Sequence, residues 1–360
     1  MGKNKNHLLV VAALTGLTLF HFCASAASIQ ATEIGHQIFI DPQFSVDHAT
    51  SCSTCHLPER AFSSPEPVAV GHDHLHGTRN APSLLNAVHY RMFFWDGRAP
   101  SLEDQVLRPF VNEREFGMHS HSEVLEKLRM NQRYASEFRE VFGAGGKSIQ
   151  IGQVASVLAA YVRSLGGQLN RLDCFLEGNH PEALTPVERD GLEVFRGVGG
   201  CDACHTVEGR PASFTDNKFH ISGIGFEKFS PTLSDLSRKL AGLDSVSREN
   251  LIFRDPTVAA AGRFVVTLDP KDIGAFRTPS LRNVALTAPY MHDGSLKTLE
   301  EAVDYELYYT GSLRGTPIIV TPAQKASLLA FLESLNDMPA NEQACKSATK
   351  VGLLPTSGSQ

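Results

Sequence analysis

The chain is 360 residues long, with 33 Lys and Arg against 39 Asp and Glu and a formal net charge of -6. That length suffices for two domains, each burying its own core. A mildly acidic balance without a long basic run excludes nucleic acid as a partner.

Lys3 and Lys5 precede an apolar run from Leu8 to Phe22, and Ala24-Ser25-Ala26 has the small-x-small form of a secretory cleavage site. Residues 1–26 therefore read as a cleaved signal peptide that delivers the protein to the periplasm. The run is too short, and too promptly followed by that site, for a retained membrane span. Phe22 is too bulky to precede a lipidated Cys23. Nothing later in the chain is apolar enough to cross a bilayer.

Cys52-Ser-Thr-Cys55-His56 comes next, and its pattern returns as Cys201-Asp-Ala-Cys204-His205. Each pentapeptide is the attachment signature of a c-type haem: both thiols bond the porphyrin and the histidine binds iron. The competing readings are one zinc held by four thiolates and a thioredoxin-like redox pair. Zinc needs no histidine after each second cysteine, and no βαβ pattern surrounds either pair. Two covalently bound c-type haems are the expectation. Of the remaining cysteines, Cys174 and Cys345 form a plausible disulfide in an oxidising compartment, the alternative being two unpaired buried thiols.

Between and beyond the pentapeptides the chain repeats itself. A shift of 197 residues lays Pro82-Ser-Leu-Leu-Asn86 on Pro279-Ser-Leu-Arg-Asn283 and Asp96-Gly97 on Asp293-Gly294. Ser101-Leu-Glu-Asp-Gln-Val106 falls on Thr298-Leu-Glu-Glu-Ala-Val303 without a gap. Two halves of common descent follow. Gln153 to Leu165 is apolar nearly all round, as a buried helix is. Thr185-Pro186-Val187-Glu188 and Thr321-Pro322-Ala323-Gln324 have the N-cap threonine, early proline and acid or amide of a helix start. Gly166-Gly167 and the stretch from Leu176 to Pro181 mark the boundary between halves. Residues 206–276 are extra to the second half, and their Gly, Pro, Ser and Asp content predicts irregular structure. The last dozen residues read as a disordered tail.

The stretch from about residue 33 to 340 resembles the bacterial di-haem cytochrome c peroxidase family, which includes the enzyme that matures methylamine dehydrogenase. The resemblance rests on Arg79-Asn-Ala-Pro-Ser-Leu-Leu-Asn86, Phe94-Trp-Asp-Gly-Arg98, Ser101-Leu-Glu-Asp-Gln105 and Asn112-Glu-Arg-Glu-Phe-Gly117. In the second half it rests on Phe276-Arg-Thr-Pro-Ser-Leu-Arg-Asn283 and Leu286-Thr-Ala-Pro-Tyr-Met-His-Asp-Gly294. It implies a mainly α fold of two cytochrome c-like helical domains, each with one covalent haem, long loops and little sheet. A peroxidatic haem domain would span 27–170, an electron-transfer haem domain 171–345, and the tail 346–360. The implied activity is reduction of hydrogen peroxide to water at the N-terminal haem, fed by the C-terminal one. A small periplasmic cytochrome c or copper protein would donate the electrons, and a homodimer is usual. The related branch instead oxidises a protein substrate. A third possibility is a di-haem electron carrier without catalysis.

The same resemblance assigns roles. Glu115 would be the acid-base group that moves the peroxide proton, with Gln105 as its hydrogen-bonding neighbour; the alternative is two surface polar residues. Trp95, the only tryptophan, would relay electrons between haems rather than merely anchor a core. His72 would be a removable sixth ligand of the first haem, although His72, His74 and His76 alternate as a solvated or metal-binding run would. Pro109 would line the face of the first haem that peroxide approaches. The repeat carries Pro109 to Glu306, where relatives place methionine or tyrosine as the sixth ligand of the second haem. Glu306, Tyr309 and Tyr305 all stand as candidates. Methionine at that site favours ferrous iron, so an oxygen donor shifts the balance towards ferric. Asn80, with the backbone carbonyls of Thr287 and Pro289, would hold one calcium ion; otherwise these are a turn asparagine and a plain loop.

Overall fold

The computed structural model describes residues 28–143, 145–178, 180–209, 211–315, 318–338 and 345. The expected signal peptide, 1–26, and the expected tail, 346–360, lie outside the described residues. The protein is mainly helical. Among the described residues, the only sheet is the antiparallel pair Phe219–Ile221 and Ala275–Arg277.

In the first half, a helix over residues 28–40 crosses the apolar helix Ile151–Ser164. The crossing needs Gly35, since a methyl group there would stand 2.0 Å from the Val157 carbonyl oxygen. Ile34, Ile38 and Phe39 meet Val154, Val157 and Leu158 there, and Phe44, Phe110 and Phe138 complete the core.

The second half repeats the device. Helix Pro186–Arg196 crosses helix Pro322–Glu333 at Gly191, where a methyl group would lie 2.0 Å from the Ser327 carbonyl oxygen. Both helices begin with reciprocal caps. Thr185 N–H donates to the Glu188 carboxylate at 2.7 Å while its hydroxyl accepts from Glu188 N–H. Thr321 and Gln324 do the same at 2.8 and 3.2 Å. Such caps satisfy otherwise orphaned backbone donors, each contributing about 1 kcal/mol. Leu192, Phe195, Leu328 and Phe331 fill this core. Cys174 and Cys345 are joined in a disulfide.

The stretch 206–276 corrects the expectation of irregular structure. It carries helices Leu233–Ala241, Ser245–Arg254 and Pro256–Ala260 around a third core of Phe229, Leu236, Leu240, Ile252 and Val258. Leu233, Leu236 and Leu240 share one helix face, and Asp244 caps the next helix by accepting from Ser247 N–H at 2.8 Å. These helices are short and built from polar residues on their outer faces. Composition alone conceals them.

Candidate active site

Cys52 and Cys55 lie on one short helical turn and His56 follows it; Cys201 to Cys204 and His205 form the second copy. None of these four cysteines is drawn into a disulfide. His56 Nδ1 donates to the Phe62 carbonyl at 2.9 Å, and His205 Nδ1 to the Phe214 carbonyl at 3.1 Å. Fixing Nδ1 as the donor leaves Nε2 as a lone pair for a metal. Burial lowers both imidazole pKa values, which keeps the rings neutral as ligation requires.

Each histidine opens onto its own large, mainly apolar cavity. The first encloses about 1430 Å³ and the second about 1730 Å³, mouths included. Their walls are mainly apolar with a few polar groups, as a haem macrocycle requires. Cys52 and Cys55 line the first cavity, Cys201 and Cys204 the second, so the pairs make no common four-thiolate site. Burial pushes the Cys52 and Cys201 thiols up to about 12, so neither is an activated nucleophile. Cys204 lies near Asp216 and His220, with ligand atoms within 4.8 Å of one another. A haem thioether at Cys204 removes that sulfur from metal binding. The donor set fits covalent haem in both halves.

With His56, the wall of the first cavity includes Gln105, Pro109, Asn112 and Glu115. Asn112 Nδ2 donates to Glu115 Oε1 at 2.8 Å. Desolvation raises the Glu115 pKa, opposed by the Arg98 charge and the Asn112 bond. His72 is absent from this wall. Its Nε2 donates to the Glu113 carbonyl at 2.8 Å, and its backbone N–H donates to the Glu115 carbonyl at 2.8 Å. The ring is thus held by the loop that carries Glu115.

In the second cavity, Glu306 lies on the wall, whereas Tyr305 and Tyr309 do not. Tyr305 donates its hydroxyl to the Ser222 carbonyl at 3.1 Å and stacks on Tyr309 with centroids 5.8 Å apart. Glu306 presents surface to the cavity, yet the surrounding protein still desolvates its carboxyl and pushes the pKa up to about 7. The repeat thus sets Pro109 and Glu306 on corresponding walls.

Trp95 lines both cavities, together with Asn80 and Arg277. Its Nε1 donates to the Asn80 carbonyl at 2.9 Å. Asn80 Nδ2 donates to the Glu66 and Pro67 carbonyls at 3.2 and 3.3 Å. Thr287 and Pro289 lie on the second cavity, and their carbonyl oxygens accept no hydrogen bond from the described residues.

Sequence reasoning missed three participants. His292 is 3% exposed, lines the second cavity, and stacks on Phe276 at 3.7 Å between centroids. It is the repeat counterpart of Trp95, so the 197-residue shift held that signal. Arg98 lies on the first wall, held by Asp96 at 3.0 Å. Phe253, from the unrecognised helix Ser245–Arg254, lies there as well.

The sequence model for di-haem cytochrome c peroxidase matches residues 29–181. A cytochrome-c peroxidase IdrP2 of Denitromonas iodatirespirans is 32% identical, covering 88% of this chain and 84% of its own. The methylamine utilization protein MauG of Methylorubrum extorquens is also 32% identical, over 89% and 82%. A crystal structure of a MauG-like protein associated with microbial copper homeostasis superposes with TM-score 0.69 at 30% identity, covering 86% of this chain and 89% of that one. With two haem pentapeptides, each opening on its own mainly apolar cavity, this chain belongs to the di-haem cytochrome c peroxidase family, a family of oxidoreductases.

Proposed function

We propose that this protein reduces hydrogen peroxide to water at the first cavity, with electrons arriving through the second. The observation that carries the reading is the asymmetry of the first wall. Gln105 and Glu115 sit beside Pro109, a residue with no side-chain donor for a metal. When bound, the two haems would supply one-electron redox chemistry, the first held by Cys52, Cys55 and His56 and the second by Cys201, Cys204 and His205. Each peroxide takes two electrons and two protons, its O–O bond breaks, and two waters leave.

The chain's own part is proton handling and placement. Glu115, ionised, takes the proton from one peroxide oxygen and returns it to the other, while Asn112 fixes the carboxyl through Oε1. Gln105, expected as the hydrogen-bonding neighbour of Glu115, yields that bond to Asn112 and in this reading faces the oxidant from the same wall. Trp95, shared by both cavities, is the stepping stone between redox centres. His72 is the removable ligand in this reading. Because its ring and its backbone both bond to residues 113–115, capture or release of the ring moves with the acid-base group.

The remaining assignments complete the proposal. A haem domain over 27–170 and another over 171–345 follow the two main cores. One calcium ion would join the halves at Asn80, Thr287 and Pro289, where the unpaired carbonyls are suitable hard ligands. The protein would work in the periplasm with a small cytochrome c or copper protein as donor, and as a homodimer. Among the described residues, no helix is long and apolar enough to cross a membrane.

Glu306 favours a second reading. An oxygen donor in place of methionine disfavours the ferrous state of the second haem, which suits a protein-oxidising enzyme of the MauG kind. Stopped-flow mixing with peroxide separates the readings. Peroxide consumption only after one-electron reduction supports the peroxidase. Rapid consumption by the ferric protein, with mass gain on an added protein substrate, supports the second. Inertness in both states leaves an electron carrier and ends the proposal.

A further inference from the structure

Helix Ser245–Arg254 belongs to the second half of the chain but walls the first cavity, through Ile252 and Phe253. It is tied to the segments that flank Gln105 and Glu115. Glu249 accepts from Arg98 Nε at 3.1 Å and from Arg108 Nη1 at 2.6 Å. At the helix end, Arg254 pairs with Glu113. Arg98 itself packs against two rings, its guanidinium carbon 3.6 Å from the Phe94 centroid and 5.3 Å from that of Phe253. Its side chain is only 7% exposed. Phe253 is therefore held between two ion-pair anchors and against a buried guanidinium. The anchors place it beside the segment carrying Gln105, Pro109 and Glu115.

We propose that Phe253 is a specificity-determining residue that restricts the first cavity to small oxidants and rejects organic hydroperoxides. The inference rests on the reading of this cavity as the peroxide site. Hydrogen peroxide has no substituent beyond its two oxygens, whereas cumene hydroperoxide brings a phenyl ring that must be accommodated beside the wall. The chemistry is otherwise the same. The O–O bond breaks, two electrons from the reduced donor and two protons are taken up, and an alcohol and a water leave. A rigid wall discriminates by shape because it cannot yield at low cost. The partly buried pairing of Glu249 with Arg98 and Arg108, and the Arg98 guanidinium packed against Phe253, supply that rigidity.

The test uses the di-haem holoprotein as wild type and as Phe253→Ala, Phe253→Leu and Phe253→Trp. The ratio of kcat/KM for cumene hydroperoxide over hydrogen peroxide should rise roughly tenfold or more in Phe253→Ala, less in Phe253→Leu, and not at all in Phe253→Trp. A second measurement is independent of turnover. Binding of tert-butyl isocyanide to the reduced first haem, followed by absorption, should tighten by about tenfold in Phe253→Ala while cyanide affinity stays unchanged. Equal wild-type kcat/KM for both oxidants overturns the proposal. So do unchanged oxidant ratios and isocyanide affinity in a variant that keeps both haems and the wild-type melting temperature. Should Phe253→Ala fail to fold, Phe253→Leu and Phe253→Trp still decide between the outcomes. If the wild type turns over no peroxide, the functional reading fails, and the isocyanide series alone judges the wall.

Discussion

The backbone N–H of Arg277 donates to the carbonyl oxygen of Trp95 at 2.8 Å. The 197-residue shift that relates the halves carries Trp95 to His292 and Arg277 back to Asn80. Asn80 N–H donates to the His292 carbonyl, also at 2.8 Å. The junction between the halves is therefore made twice, each half giving and receiving the same bond. The backbone is symmetric and the rings are not. Trp95 reaches both cavities, whereas His292 lines only the second. Burial and the Arg79 charge depress the His292 pKa to about 3, so its ring is a neutral imidazole, much harder to oxidise than an indole.

That asymmetry makes Trp95 the residue to test first. Trp95→Phe should slow electron transfer between the haems by about tenfold, a barrier rise of about 1.4 kcal/mol. It also deletes the bond from Nε1 to the Asn80 carbonyl, a stability loss of about 1 kcal/mol. Stopped-flow reduction of the two haems measures the first effect and thermal melting the second. His292→Phe serves as control; equal slowing in both variants would remove the special role of the indole.

Glu115→Gln should lower peroxide turnover by roughly 10²–10⁴-fold while both haems stay attached. The pH dependence follows from the environment of the carboxyl. Proton abstraction needs the ionised form, and desolvation holds the Glu115 pKa above its ordinary 4.5. The rate of peroxide capture should therefore rise with pH through a limb above the usual carboxylate range. Arg98 pulls in the opposite direction. Arg98→Gln should move the limb to still higher pH, and a profile that is flat from acid to neutral would clear Glu115 of the role.

The parts of this fold that were legible in the sequence are those where chemistry leaves few options. A histidine directly after a Cys-x-x-Cys pair names its ligand, and Thr185 and Thr321 announce helix starts through local bonds alone. Helix Ser245–Arg254 was not legible for a different reason. Its stabilising contacts are long-range, from Glu249 to Arg98 and Arg108 and from Arg254 to Glu113. No local pattern encodes a partner some 140 residues away in the chain. The sixth-ligand candidates illustrate the same limit. Helical spacing alone leaves Tyr305, Glu306 and Tyr309 open. Only packing against Ser222 and Gly223 draws the tyrosines aside.

The disulfide between Cys174 and Cys345 closes a loop of 171 residues. Removing such a long cross-link frees the unfolded chain by up to about 5 kcal/mol in the loop-entropy account. Cys174→Ala with Cys345→Ala should accordingly lower the unfolding free energy by about 2–5 kcal/mol in denaturant titration. Haem content and peroxide turnover under native conditions should not change, since neither cysteine lines a cavity. A drop in turnover would tie the disulfide to the site instead.

Glu306→Met is the substitution that asks most of the second cavity. A thioether stabilises ferrous iron, so the potential of the second haem should rise, by on the order of 100 mV. Glu306→Gln keeps the shape but cannot carry the negative charge, and should raise the potential less. Spectroelectrochemical titration of the holoprotein measures both. The wild-type carboxyl, with its pKa pushed up to about 7 by burial, loses its proton across the neutral range. Its ionised form favours the more positive, ferric haem, so the wild-type potential should fall as pH rises through that range. Glu306→Gln should abolish this fall, because the amide does not titrate. If the fall persists in Glu306→Gln and both potentials match the wild type, Glu306 does not reach the iron. Tyr305→Phe and Tyr309→Phe then become the variants that must move the potential.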